Sequence, residues 1–400
     1  MPARTHVECG KRLGDVLILQ RRGNSLNFLR LVMALLVIVS HSIPLGGFGN
    51  EVIIGNQTYG GLAVDGFFGI SGFLICGSAL RHIERHGRFR GLVHYFRDRV
   101  LRIMPAFWLC LIVTAGIFGV VGWRAVHPTL AGYWTNPQGP IHYVTSNFLL
   151  KMGTYQISGT PAHVPYPLAW DGSLWTLFWE SLCYVGIAFL AAIGLLFRRR
   201  IVLAIALVIW LAEIALFIHP SQESGMQYAV RFASIFLVGA LLFLYRDRVP
   251  DSGRLALGLV ALACIGLAVG HPDSLVSDWL VGPSLVYPVL WLGAHLPFQR
   301  IGASNDISYG VYIYAFPVGQ LLAIGGVQKA GYLPFMLATI ICTIPLAAAS
   351  WWGLEKWALK ARNWHPITAR KSHPQADTPG FDSVLRPGFP IAGGEIDIHK

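Results

Sequence analysis

The sequence predicts an all-α, polytopic membrane helix bundle with about ten transmembrane helices and both termini cytoplasmic. Three observations carry this expectation. The chain is 54% hydrophobic and only 13% charged, roughly half the charged share of a soluble domain. It contains ten mostly apolar runs near the ~20 residues that a helix needs to cross a bilayer. Its basic residues gather in alternate loops between those runs.

The runs fall at 26–45, 61–80, 103–123, 174–197, 201–219, 229–245, 254–270, 275–295, 307–327 and 332–353, with Pro283 and Pro288 interrupting the eighth. Lys11, Arg12, Arg21 and Arg22 precede the first. Arg81, Arg85, Arg88, Arg90, Arg97, Arg99 and Arg102 follow the second, and Arg198, Arg199 and Arg200 the fourth. Arg246, Arg248 and Arg254 follow the sixth, Arg300 the eighth, and Lys356, Lys360 and Arg362 the tenth. The loops at 46–60, 220–228 and 271–274 hold no Lys or Arg, and the long loop 124–173 only Arg124 and Lys151. Basic residues stay on the cytoplasmic side during insertion, so this map places both termini inside. It also accounts for the net charge of +11: the cations set topology from separate loops, which argues against nucleic-acid binding. Three regions result: a cytoplasmic tail at 1–25, a membrane domain at 26–358, and a tail at 359–400 whose Pro, Gly and mixed charge predict disorder. No small-residue cleavage site follows the first run, which reads as a retained span. The six cysteines are scattered without ligand-like spacing and support neither a disulfide framework nor a metal site.

Ionisable residues inside spans are costly and mark function by default. Arg30 and His41 bracket the first apolar run. Eleven residues at about 100° each end about 20° past three turns, so both side chains share one helix face, roughly 16 Å apart along the axis. The topology puts Arg30 toward the inner surface and His41 in the outer half. A snorkelling arginine and an interfacial histidine would look the same. Asp65 opens "DGFFGISGFL" in the second run at about the depth of His41; a carboxylate there could fix the imidazole tautomer and leave the other nitrogen as a base, or could sit in interfacial water. Ser71-Gly72, Gly66, Gly69 and Gly77 suit close helix approach. Arg97, Arg99 and Arg102 lie in "YFRDRVLRIMPAFW" at the inner surface, fit to meet lipid headgroups or an anionic ligand with several phosphates. Glu180, between Trp175, Trp179 and Tyr184, needs a partner in so apolar a stretch. The outer loop 124–173, rich in Pro, Tyr, Trp and His, could cover an acceptor or pack on the bundle.

Together these motifs resemble the acyltransferase-3 family of integral membrane acyltransferases, O-acetyltransferases of surface polysaccharides, from about 26 to 358. The family's Arg-x10-His matches Arg30 and His41. Its D-x-F-F-x-x-S-G-F-L resembles Asp65 to Leu74, its R-R-x-x-R-I-x-P resembles Arg99 to Pro105, and its W-S-L-x-x-E-x-x-x-Y is similar to Trp175, Thr176, Leu177, Glu180 and Tyr184. The late S-Y-x-x-Y-x-x-H-x-P resembles Ser308, Tyr309, Tyr312 and Pro317, but Ala315 replaces its histidine, which concentrates acid–base work on His41. A terminal E-x-P resembles Glu355, Lys356 and Trp357, without the proline.

The resemblance implies acyl transfer in the inner (plasma) membrane from cytoplasmic acyl-CoA, most often acetyl-CoA, to a hydroxyl of an extracytoplasmic saccharide or glycolipid. Acyl-CoA would be a donor substrate and no cofactor would be permanently bound. His41 would act as base or transient acyl carrier, with Asp65 orienting it and Glu180 supporting the site. Arg30, Arg97, Arg99 and Arg102 would meet the donor phosphates. A transporter of a sugar or lipid-linked sugar is the alternative, with the same residues as a proton relay; the absence of an internal repeat weighs against it.

Overall fold

The structure, a computed structural model, describes residues 12–14, 17, 23–55, 57–218, 225–269 and 275–361. Most of the tail expected at 359–400 and much of that at 1–25 lie outside the described residues, as do parts of the outer loops 220–228 and 271–274. The protein is an all-α membrane bundle. Its helices are α1 (Leu26–Gly46), α2 (Tyr59–His86), α3 (Arg88–Arg124), the short α4 (Pro140–Asn147), α5 (Trp175–Ala192), α6 (Arg199–Ile218), α7 (Gly225–Leu244), α8 (Gly253–Val269), α9 (Leu275–His295), α10 (Ser308–Ile324) and α11 (Tyr332–Ala361). One two-stranded antiparallel hairpin, β1 (Ile53–Ile54) and β2 (Gln57–Thr58), joins α1 to α2. Each predicted run contains a helix. Among the described residues, six are long and apolar enough to cross a membrane: α1, α2, α3, α5, α7 and α11. Pro283 and Pro288 lie inside α9 without ending it, as helices of membrane bundles tolerate when neighbours satisfy the freed backbone groups.

The third run differs from expectation. Its helix begins at Arg88, not near 103, so the basic segment expected in a loop is helical, and Gly87 alone joins α2 to α3. Gly87 adopts φ +76, a left-handed conformation open to glycine at little cost. Gly91 then lets α3 fold back, since a Cβ there would lie 2.6 Å from the Ile83 Cα. α3 carries a π-helical turn at Thr114–Phe118, and α11 another at Trp351–Glu355.

Small residues set the main helix contact, as their pattern predicts. A Cβ on Gly72 would lie 2.0 Å from the Phe236 carbonyl oxygen, and one on Gly239 would lie 2.2 Å from that of Gly69. The backbones of α2 and α7 therefore touch. α10 is buried along most of its length and is walled by α1, α11 and the outer loop. That loop folds around Tyr133, Tyr143 and Trp170, all wholly buried. Tyr133 donates to the Ala115 carbonyl, Tyr143 to the Asp171 carboxylate and Trp170 to Thr160 Oγ1. The aromatic residues thus pack the loop onto the bundle.

Candidate active site

The C-terminal end of α1, outer in the topology read from the loop charges, positions His41. Pro44 sits in its last turn, and Gly47, left-handed at φ 74, turns the chain back into the hairpin loop. This brings Glu51 over the helix end. The His41 Nδ1 lies 2.5 Å from Glu51 Oε1, and Ser40 Oγ donates to Glu51 Oε2 at 2.5 Å. Thr58, which caps α2 by accepting from the Gly61 N–H at 2.9 Å, also bonds Glu51. Burial would raise the Glu51 carboxyl, but the bond and charge of His41 and the hydroxyls of Ser40 and Thr58 outweigh it and hold the group below its ordinary value. An ionised Glu51 accepts Nδ1–H, which fixes the tautomer and leaves the Nε2 lone pair as a base. Nε2 takes no hydrogen bond among the described residues. The Phe316 ring meets the imidazole edge-on at 5.5 Å and Tyr166 of the outer loop at 5.9 Å. Gln320 fixes that loop by donating to the carbonyls of Tyr166 and Ala169, each at 2.7 Å.

Asp65 does not orient His41. Arg231 of α7 holds both its carboxylate oxygens at 3.0 Å and also donates to Gln57 Oε1 at 2.8 Å. The reason is depth: Asp65 is 1% exposed inside the bundle, where a carboxylate needs a fixed cation, whereas Glu51 reaches the imidazole from the loop above.

Glu180 lies deeper. It accepts from Ser71 Oγ at 2.7 Å and Tyr184 OH at 2.6 Å. With Arg30 and Tyr309 it lines two small cavities of about 30 and about 60 Å³ that follow one another through the bundle. The outer one ends at Phe67, Thr176 and Tyr312, whose hydroxyl is 2.5 Å from Thr176 Oγ1. Phe316 is one turn beyond Tyr312 on α10, so about one helical turn separates this cavity from the ring that touches His41. The inner cavity reaches Arg99 and Arg102.

The four arginines divide into two pairs. Arg30 and Arg102 converge on Asp306, at 3.3 and 2.5 Å, and Arg102 also approaches Glu355 at 3.7 Å and the Trp351 ring at 5.5 Å. Burial would raise the Asp306 carboxyl, but the two guanidiniums and the bonds from Ser308 hold it below its ordinary value. Arg97 and Arg99 line a larger cavity of about 510 Å³ at the inner ends of α2 and α3, and Arg99 also lines the inner small cavity.

Glu51, Asp306 and Arg231 were not singled out by sequence pattern. Glu51 carried a signal: it is the lone charged residue in loop 46–60. Arg231 shared the mark that identified Asp65, an ionisable residue in an apolar run. Asp306 sits in an ordinary inner loop and carried none.

Comparison with known proteins identifies the family. Residues 24–352 match the acyltransferase domain model of the acyltransferase-3 family. An O-acetyl transferase of Shigella phage Sf6 is 28% identical over 346 residues, 84% of this chain and 96% of that protein. The exopolysaccharide production protein ExoZ of Rhizobium meliloti (strain 1021) is 25% identical over 323 residues, covering 78% and 93%. No solved structure matches. A multi-pass helical bundle, the motifs in order along it and a family model spanning most of the chain lead to one conclusion: the protein belongs to the acyltransferase-3 family of integral membrane acyltransferases.

Proposed function

We propose that this protein moves an acyl group, acetyl in the first instance, from cytoplasmic acyl-CoA to a hydroxyl of an extracytoplasmic saccharide or glycolipid. The reading includes ten crossings, cytoplasmic termini and residence in the inner (plasma) membrane, and the alternation of loop charges supports its orientation. The observation that carries it is the His41–Glu51 pair: a tautomer-fixed imidazole with one open nitrogen at the outer end of the helix whose inner end bears Arg30.

The residues present fit the donor. Its nucleotide phosphates match the basic cavity of Arg97 and Arg99, where guanidiniums meet phosphate geometry. The thioester arm points along the two small cavities past Arg30, Glu180 and Tyr309. Arg30 and Arg102 act there through Asp306, setting the inner end of the passage. At the outer end His41 Nε2 takes the proton of the acceptor hydroxyl as its oxygen attacks the thioester carbonyl. The C–S bond breaks, the acyl ester forms, and the imidazolium returns the proton to the departing thiolate. Glu51 stabilises the imidazolium that forms between these steps. The transport alternative has no observation in its favour.

The test supplies radiolabelled acetyl-CoA to membranes containing wild type or His41→Ala and follows label in extracted glycans and glycolipids. Label with wild type and none with the variant is expected. Unlabelled glycan from wild-type membranes that still move sugar would contradict the proposal.

A further inference from the structure

The cavity at the inner ends of α2 and α3 holds more than arginines. At about 510 Å³ it has the size of a small-molecule site. Arg81 and Arg85 enter from α2 and Arg97 and Arg99 from α3, with Asp98 the lone carboxylate in the wall. Three imidazoles complete the lining. The rings of His86 and His94 are 4.4 Å apart, centroid to centroid, and His82 stands 6.2 Å from each.

The local sequence brings them together. His82 and His86 are four residues apart and so share a face of α2, and the tight joint at Gly87 and Gly91 returns α3 so that His94 faces them. His82 Nε2 is 3.0 Å from Asp98 Oδ2. The Arg99 Nε–H is buried with no hydrogen-bond partner among the described residues, and the His82 Nδ1, buried likewise, becomes a donor only when the ring is protonated. A buried donor of this kind carries a desolvation cost until an acceptor meets it. The wall is therefore rich in donors and short of acceptors, the arrangement that an anion completes.

We propose that His86 and His94, with His82 held by Asp98, are proton-dependent phosphate ligands that bind the nucleotide end of acyl-CoA more tightly as cytoplasmic pH falls. The inference rests on the donor reading above and adds regulation to it. A neutral imidazole offers one N–H donor; an imidazolium offers two and a full charge. Beside four guanidiniums that extra charge is unfavourable while the cavity lacks an anion, and bound phosphates offset it. Phosphates then favour protonation, and by reciprocity protons favour the phosphates. The groups facing the imidazoles are Arg81, Arg85, Arg97, Arg99 and Asp98, with Arg246 at the end of α7 beyond Arg81. Imidazole is the side chain whose charge changes within the physiological pH range. The phosphomonoester of CoA titrates near ~6 and loses charge as pH falls, which weakens binding. The ligand's own titration therefore has the opposite sign to the effect proposed.

The test measures CoA binding to the purified full chain in phosphatidylcholine nanodiscs at about pH 8 and about pH 6. Wild type should tighten about fivefold or more, the lower range of coupling between linked sites. His86→Gln/His94→Gln should bind weakly with no such response. His86→Gln/His94→Lys should bind tightly at both pH values, because a fixed charge replaces the titrating one; a purely structural role would not be rescued by lysine. A flat wild-type profile with intact CoA binding, or the same response in both variants, overturns the histidine role and leaves the donor reading standing. Failure of wild type to bind CoA at any pH overturns both. Displacement of CoA by phosphatidylglycerol in the nanodisc would assign the cavity to lipid headgroups and also overturn the proposal; unchanged affinity supports it.

Discussion

The two ends of α1 hold their ionisable residues in opposite ways. At the outer end His41 meets one carboxylate, from a residue ten positions along the chain, and keeps a second nitrogen open. At the inner end Arg30 meets Asp306, 276 positions away, and shares it with Arg102, which also leans on Glu355. The first arrangement lets a proton come and go while geometry is kept. The second fixes permanent charges against one another and ties α1 and α3 to the start of α10. One helix thus carries an end with an open imidazole nitrogen and an end of mutually fixed charges, although its sequence pattern marks both only as ionisable residues in an apolar run.

Substitutions at each end should separate those roles. His41→Ala removes the base and should lower acyl transfer by about a thousandfold, the middle of the range for general-base catalysis, with the purified protein's melting temperature nearly unchanged. Glu51→Gln keeps a hydrogen-bonding group but loses the charge that stabilises imidazolium. It should cost about a hundredfold in kcat with little change in acceptor KM. If Glu51→Gln retained wild-type kcat, the pairing at the outer end would have no catalytic meaning.

At the inner end the larger effect should be on stability. Asp306→Asn leaves two half-buried guanidiniums without their shared carboxylate, which should cost about 3 kcal/mol in denaturant unfolding. An unfolding midpoint equal to wild type would contradict the fixed-charge role. Arg99→Ala should raise the donor KM about tenfold and change kcat less, since it removes a phosphate contact made equally in ground and transition states. The reverse pattern, kcat lost at constant KM, would move Arg99 from binding to chemistry.

The smallest effect concerns Asp171, wholly buried beneath the outer loop and bonded by Tyr143. Burial raises its carboxyl from 3.8 to about 7, against the opposing pull of Tyr143 and Thr114. A raised carboxyl stabilises the fold in its protonated form. Its contribution is complete below 3.8 and is lost as pH rises through about 7. Between about pH 6 and pH 8 wild type should therefore lose about 1 kcal/mol that Asp171→Asn does not lose. Parallel thermal unfolding curves for the two proteins would contradict this.

What was legible in the sequence follows from what is local. Hydropathy and length found the helices, since lipid permits few alternatives. Helical spacing put Arg30 and His41 on one face, and small residues marked where α2 meets α7. The partners were not legible, because they depend on which helices pack together. Asp65, expected at about the depth of His41, is buried inside the bundle and turns to Arg231 of α7. Asp306 is drawn to Arg30 and Arg102 by a packing that no spacing encodes. The basic segment 88–102 reads as a loop because charge ends an apolar run, yet a helix can continue past the bilayer when its polar face has a cavity to line.

The central claim is that the acyl group passes from a donor site at the inner ends of α2 and α3 to His41 at the outer end of α1. Sealed vesicles with the cytoplasmic face outward test it most directly, with labelled acetyl-CoA added outside and saccharide acceptor enclosed within. The account predicts label on the enclosed acceptor with wild type, none with His41→Ala, and none when acetyl-CoA is supplied only to the lumen. Equal labelling from lumenal acetyl-CoA would contradict it.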